Sequence, residues 1–302
     1  MPDNDIIKKI DAARKASNAT ILAHYYQIPE IQDIADHVGD SFALSRLATE
    51  VPADVIVFCG VDFMAESAKI LSPQKKVLLP VKDAGCPMAD MATAEEARHL
   101  KQQYPEAALV SYVNSTTEVK AESDLCCTSA NAVNVIRTLP NKQIIFMPDK
   151  NLGAYAAYHI PEKEFILFDG YCPPHEEVMA IDVKLARDNH PDATLLVHPE
   201  CRPEVREAAD FIGSTSQIIK HAGESDHQSF IIGTEEGILH PLQKQYPDKT
   251  FYMLTDHFSC YNMKKTNLQH LLQSLETGKH EVEIDDDLMD RARKPLMRML
   301  NP

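Results

Sequence analysis

Short apolar runs closed by polar and turn-forming residues recur along this chain at repeating intervals. TILAHYY (20–26), DVIVF (54–58) and VLL (77–79) read as buried strands, since short β-branched runs ending in turn signals fit that pattern. Helical spacing of apolar positions marks 5–17 (Ile6, Ile7, Ile10, Ala13), 29–38, 41–49 and 62–70. The order is helix–strand–helix–helix–strand–helix–strand. A second pass follows: helix 94–103, strand ALVSYVN (108–114), helix 129–138, strand and loop QIIFMPDKN (143–151), strand EFILFDG (164–170). The third comprises helix 177–188, TLLVHPE (194–200), helix 215–221, SFIIGTEE (229–236) and TFYML (250–254). Two more helices, 265–277 and 286–300, complete the chain.

The passes register. When they are aligned on His24, Tyr112 and His198, the hydroxyls Ser41, Ser129 and Thr215 fall at one common offset. Phe58, Phe146 and Ile232, in the second strands, share another. Cys86, Cys172 and Cys260 follow at matching places, the middle one two positions early, each in a loop past a strand. The interval from His24 to Tyr112, and again from Tyr112 to His198, is too long for a solenoid repeat. It predicts an α/β protein of three duplicated domains, each a small parallel sheet with flanking helices, set with pseudo-threefold symmetry around a central active site. The predicted division is 1–85, 86–171, and 172–302 with the C-terminal helices.

Ligands of parallel α/β units gather beyond the carboxyl ends of the strands. The residues there are His24 and Tyr26, Tyr112 and Asn114, and His198 and Glu200, all able to donate, accept or transfer protons. Ser41, Ser129 and Thr215 open helices, where a hydroxyl caps the end or helps bind an anion. Cys86, Cys172 and Cys260 sit on loops at the same edge, whereas Cys59, Cys126, Cys127 and Cys201 fall off the pattern and read as small buried hydrophobes. Three loop thiolates without a matching fourth fit an iron–sulfur cluster with one open iron. A catalytic zinc with a bound water stays open beside it, although paired C-x-x-C spacing is absent. With neither a G-x-G-x-x-G nor a Walker A pattern, a standard dinucleotide or nucleoside triphosphate site is not expected.

A formal charge of −15 argues against nucleic acid and anionic membranes as partners. No apolar run approaches membrane-spanning length. Seven cysteines, an odd number, suit a reducing compartment, and the N-terminus reads as an amphipathic helix rather than a signal peptide, so a cytoplasmic location is expected.

In order, HYYQ with GDS, GCPMAD, SYVNS, CTSANA, PDKNLG, GYCPPHE, HPEC, GSTS, GTEEG and CYNMK resemble quinolinate synthase, from about residue 20 to 300. The resemblance implies three α/β domains around a [4Fe–4S] cluster, with its cysteine ligands at Cys86, Cys172 and Cys260. It implies condensation of iminoaspartate with dihydroxyacetone phosphate to quinolinate, phosphate and water for NAD biosynthesis. An L-aspartate oxidase or dehydrogenase would supply the imine. Substrate contacts carry over to His24, Ser41, Tyr112, Asn114, Ser129, His198, Glu200 and Thr215, with Tyr26 and His175 near the chemistry. Tyr26, Glu200, His24, His198 and His175 are then the catalytic candidates. Some members continue the last motif as C-x-x-C-x-x-C; Met263 and Thr266 stand at those positions here. Two other classes compete: a zinc-dependent lyase or hydrolase on the same scaffold, and a non-catalytic binder of a phosphorylated metabolite.

Overall fold

Three four-stranded parallel sheets, each flanked by helices, make up the computed structural model, which describes residues 4–301. The first contains β1 (Ala19–His24), β2 (His37–Gly39), β3 (Val55–Cys59) and β4 (Lys76–Leu78) in the order β2-β1-β3-β4. The second, β5 (Ala108–Tyr112), β6 (Leu125–Cys127), β7 (Gln143–Met147) and β8 (Glu164–Leu167), is ordered β6-β5-β7-β8. The third, β9 (Thr194–Val197), β10 (Phe211–Ile212), β11 (Ser229–Gly233) and β12 (Thr250–Met253), is ordered β10-β9-β11-β12. The duplicated α/β architecture is therefore present three times.

Registration extends to individual residue pairs. Leu22 faces His37, Val110 faces Leu125 and Leu196 faces Phe211, all at the same separation along the chain. Ile21–Val57, Leu109–Ile145 and Leu195–Ile231 share a second separation. Ile56–Val77, Ile144–Phe165 and Phe230–Phe251 share a third. A one-residue slip in a strand would turn its buried side chains to the opposite face, so the register is tightly fixed.

Edge strands β2, β6 and β10 were not expected. Helix 29–38 ends instead at Ile34, and the chain turns into β2. The cause is a carboxylate. The Asp36 side chain accepts the Ile21 N–H (2.8 Å) while its own N–H donates to the Ile21 carbonyl (3.0 Å), which draws the chain out of the helix and against β1. Asp124 does the same to Leu109 (2.8 Å) and Asp210 to Leu195 (2.7 Å). Each aspartate also meets a cation, Arg14, Lys101 or Arg187. A lysine closes each repeat at the other end of its helix. Lys75 donates to the Ala48 and Val51 carbonyls, Lys163 to Leu139 and Asn141, and Lys249 to Ala222 and Ser225. These cations take up carbonyls at, or just past, the ends of the helices Ser41–Glu50, Ala132–Arg137 and Thr215–Glu224.

Helices at Thr117–Glu122, Pro203–Glu207 and Leu239–Gln245 were not expected either. The helix expected over 129–138 covers only Ala132–Arg137, because the Asn131 side chain takes up the Thr128 N–H (2.7 Å) and holds a turn there. A helix at Lys150–His159, of which only the first two residues were assigned and then as loop, follows β7 with Asp149 as its N-cap.

One apolar core runs through the first two repeats, joining Leu22, Phe58 and Phe63 to Val110, Phe146 and Leu152, with Cys86, Cys172 and Cys260 packed against it. Both C-terminal helices, Leu268–Thr277 and Asp286–Leu300, lie on these repeats. The former packs on Asn4–Ala16 and the latter on Thr117–Glu122. Between them the chain at 280–282 runs antiparallel to β4, with Leu79 N–H donating to the His280 carbonyl and Val282 N–H to the Val77 carbonyl. No helix among the described residues is long and apolar enough to cross a membrane.

The aspartate lock gives a stability prediction. Asp124→Ala strands the Leu109 N–H inside the sheet and should cost about 1–3 kcal/mol. The exposed Asp188→Ala should stay within about 0.5 kcal/mol of the parent. Urea unfolding of both variants decides it; equal midpoints would show that the lock carries no stability.

Candidate active site where three sheets meet

Every side chain singled out from the sequence lines one cavity at the carboxyl ends of the strands. They are His24, Tyr26, Ser41, Cys86, Tyr112, Asn114, Ser129, Cys172, His175, His198, Glu200, Thr215 and Cys260. Topology explains the convergence: in each sheet the central strand points its carboxyl end, and hence its terminal polar residues, towards the same space. Phe42, Phe63, Met64, Met88 and Met263 make the rest of the wall largely apolar. A mostly apolar cleft with a few convergent polar groups is what a small-molecule site looks like.

Glu200 is the buried hub. Its Oε2 lies 3.1 Å from His175 Nδ1 and 3.4 Å from His198 Nδ1, while Oε1 has no protein partner. Burial alone would raise this carboxyl, but the His198 and His175 imidazoles overcome it and hold the group down, to about 2. Glu200 is thus ionised across the neutral range. Burial pushes His175 and His24 down to about 4, against the pull of Glu200 on the first and Asp40 on the second, so both are neutral imidazoles at pH 7. Tyr26 and Tyr112 are driven well up, by burial and then by the Glu200 charge, and keep their protons. The cavity therefore holds an acceptor carboxylate beside neutral rings and protonated phenols, a set suited to proton transfer.

The three hydroxyls do not cap helices. Asp40 caps Ser41–Glu50 through the Ala43 N–H, and Ser214 caps Thr215–Glu224 through the Gln217 N–H. Asp40 Oδ2 also accepts from Ser214 Oγ (3.4 Å), tying the two helix ends together. Ser129 stands ahead of the helix Ala132–Arg137 and lies 3.1 Å from His198 Nε2. With capping done by neighbours, Ser41, Ser129 and Thr215 are left to face the cavity.

Each cavity cysteine stands directly before a single helical turn: Cys86 before Pro87–Asp90, Cys172 before Pro173–Glu176, Cys260 before Tyr261–Lys264. Burial pushes all three thiols up, and the charges of Glu200, Cys86 and Cys260 would raise Cys172 further. As thiols they are weak donors in an apolar wall; a bound cation that displaces their protons relieves that mismatch. The unpartnered Glu200 Oε1 and Asn114 Oδ1 offer further acceptors at the same cavity. This donor set fits a soft metal centre. Among the described residues, the one set of three donor atoms within 4.8 Å of one another is Cys172, His175 and Glu200. The direct His175–Glu200 contact accounts for that closeness. Three cysteine sulfurs spread more widely suit a multi-iron core better than a single tetrahedral ion. Cys59, Cys126, Cys127 and Cys201 are buried away from the cavity.

Sequence reasoning missed Asp40, Thr128 and Glu235, which also line the cavity. Glu235 accepts the N–H groups of Cys260 (3.1 Å) and Gly237 (2.7 Å) and pairs with Lys264 (2.7 Å). Its buried counterpart in the second repeat, Asp149, caps the helix after β7 through the Leu152 N–H (2.7 Å). Asp149 stands as far past Tyr112 as Glu235 does past His198, a signal the spacing contained.

A family model described as "Quinolinate synthetase A protein" matches residues 8–301. The chain belongs to the quinolinate synthase family. It is 54% identical over 295 residues to a quinolinate synthase of Caldicellulosiruptor saccharolyticus, covering 98% of this chain and 97% of the relative. A quinolinate synthase of Alkaliphilus metalliredigens is 52% identical, with 99% of both chains covered. "Quinolinate synthase 2" of Methanosarcina acetivorans is 51% identical, covering 100% of this chain and 97% of its own. The likeness therefore takes in all three repeats and both C-terminal helices, not one shared segment.

The capping assignment separates the hydroxyls experimentally. Ser214→Ala should lose about 0.5–2 kcal/mol of stability. Ser41→Ala should unfold close to the parent and instead weaken substrate binding, seen as a higher KM. A Ser41→Ala variant that is destabilised with unchanged kinetics would return Ser41 to a structural role.

Proposed function

We propose that this chain is a quinolinate synthase that condenses iminoaspartate with dihydroxyacetone phosphate to give quinolinate, phosphate and water. Family membership and the convergence of three repeat-equivalent cysteines with six strand-end polar groups on one cavity carry this reading. The cofactor proposed is a [4Fe–4S] cluster held by Cys86, Cys172 and Cys260. When bound, it supplies a Lewis-acidic iron without a protein ligand.

The residues supply the remainder. Closing a pyridine ring from these substrates requires phosphate loss, carbon–carbon and carbon–nitrogen bond formation, and dehydration. Glu200, ionised and buried, can take a proton from carbon. Tyr26 and Tyr112, protonated, can donate to a departing oxygen, and the neutral His24 and His175 can accept or relay, with His198 against the Glu200 carboxylate. Ser41, Ser129, Thr215 and Asn114 can bind carboxylate and phosphate oxygens. The wall of Phe42, Phe63 and Met88 excludes water from an imine that hydrolyses readily. The imine would come from an L-aspartate oxidase or dehydrogenase, and the enzyme would act in the cytoplasm in NAD biosynthesis.

The decisive assay incubates anaerobically purified, iron-replete protein with dihydroxyacetone phosphate and enzymatically generated iminoaspartate. Quinolinate and phosphate should appear together; their absence would reject the reaction. Among seven single Cys→Ala variants, Cys86, Cys172 and Cys260 should lose iron, sulfide and turnover together. Cys59, Cys126, Cys127 and Cys201 should keep all three at modest cost in stability. Iron without sulfide would replace the cluster with a mononuclear site. Glu200→Gln should retain the metal yet lose about 10²–10⁴ in kcat; near-parental turnover would leave Glu200 only a hydrogen-bonding role.

A further inference from the structure

A short helix follows each of the strands β1, β5 and β9, and each carries a buried polar side chain whose partners repeat as well. The helices are Pro29–Ile34, Thr117–Glu122 and Pro203–Glu207. Their residues Gln32, Lys120 and Arg206 stand the same number of residues past His24, Tyr112 and His198, and all three are buried. Gln32 Nε2 donates to the carbonyls of Tyr25 (2.8 Å), Gln27 (2.8 Å) and Gly237 (2.9 Å). Arg206 Nη1 donates to those of Pro199 (3.1 Å), Cys201 (2.5 Å) and Asn151 (2.9 Å). Lys120 Nζ donates to those of Ser115 (2.7 Å) and Phe63 (3.4 Å).

The acceptors keep the registration too. Gln27, Ser115 and Cys201 are equivalent positions of the three repeats, as are Tyr25 and Pro199. Gly237, Phe63 and Asn151 are also equivalent, but each lies in the repeat before the donor's own, the third standing before the first. One nitrogen therefore joins two repeats at every seam, and the three seams close a ring. An amide, an ammonium and a guanidinium do this in turn, so the three share a task rather than a residue type. In the donor's own repeat the held carbonyls flank a residue of the cavity. Tyr26 stands between Tyr25 and Gln27, Glu200 between Pro199 and Cys201, and Asn114 directly before Ser115. Glu200 Oε1 and Asn114 Oδ1 have no protein partner, so their backbone has to aim them.

We infer that Gln32, Lys120 and Arg206 are positioning residues, each drawing the strand-end loop of its own repeat onto the preceding repeat and so aiming Tyr26, Asn114 or Glu200 into the shared cavity. This rests on the proposed reaction, to which those three residues contribute. A loop whose carbonyls converge on one buried nitrogen keeps little freedom, because turning a carbonyl away would strand it without a partner. The seams also leave no slack. A Cβ at Gly237 would come within 2.6 Å of the Tyr25 carbonyl oxygen, so backbone meets backbone there. An error of about 1 Å in a reacting group can cost about a hundredfold in rate, which makes the aim of Tyr26 and Glu200 a kinetic quantity.

The test compares Arg206→Met, which removes the donor, with Arg206→Lys, which restores one nitrogen as Lys120 does at its own seam. Both are prepared anaerobically as iron-loaded protein. Arg206→Met should lower kcat about ten- to a hundredfold, with iron, sulfide and KM for dihydroxyacetone phosphate within about twofold of the parent. Arg206→Lys should recover most of the loss. Parental kcat in a less stable Arg206→Met would leave a structural tie only, and an equal loss in both variants would assign the effect to packing of the long stem; either overturns the inference. Should Arg206→Met not fold, Gln32→Met at another seam is judged by the same kcat and KM readings, and failure of both to fold would overturn positioning in favour of a folding role. Crystal structures locate the effect without turnover. Glu200 should shift in Arg206→Met with Tyr26 in place, and Tyr26 should shift in Gln32→Met with Glu200 in place. If the parent made no quinolinate, the reaction would fall, yet an unmoved Glu200 in Arg206→Met would still refute the positioning role.

Discussion

A carboxylate that accepts the N–H of a central strand, repeated at Asp36, Asp124 and Asp210, is the constraint on which this architecture depends. It fixes where the edge strand lies, and through the shared pairing register it fixes the length of chain between the strand end and the helix that follows. That length places Ser41, Ser129 and Thr215 at the cavity. Because each carboxylate also meets a cation, the lock is charge-balanced at a partly buried position, where an unpaired ion would be costly. Lys75, Lys163 and Lys249 secure the opposite ends of the same helices.

The cavity inverts the electrostatics of the surface. A chain with a formal charge of −15 is a poor host for anionic substrates at long range. Inside, burial forces several ionisable groups neutral: His24 and His175 lose their protons, Tyr26 and Tyr112 keep theirs. Glu200 is the exception among them, kept charged by the rings around it. A fixed charge ringed by neutral donors leaves room for substrate carboxylates and phosphate without accumulated repulsion. Glu235 is offset by Lys264, whereas Asp40, at the tied helix ends, works against anions there.

Spacing carried most of the fold and all of the cavity cysteines. The strands were legible because Ile21–Ala23, Leu109–Val110 and Leu195–Val197 are continuous apolar runs buried on both faces. The edge strands were not. His37–Gly39 and Phe211–Ile212 are too short to show a period and gain their conformation from contact with a central strand earlier in the chain. The helix at Lys150–His159 was hidden by Gly153 and by aromatic residues of ordinary helix preference. Residues at strand ends were found by equivalence between copies.

The antiparallel segment at 280–282 has a consequence for synthesis on the ribosome. Strand β4 is an edge of the first sheet, made early, yet the backbone that covers it lies near the far end of the sequence. Until that segment emerges, β4 presents unpaired N–H and C=O groups, the feature by which nascent sheets recruit wrong partners. The first repeat to be translated is thus completed only by backbone from near the far end of the sequence.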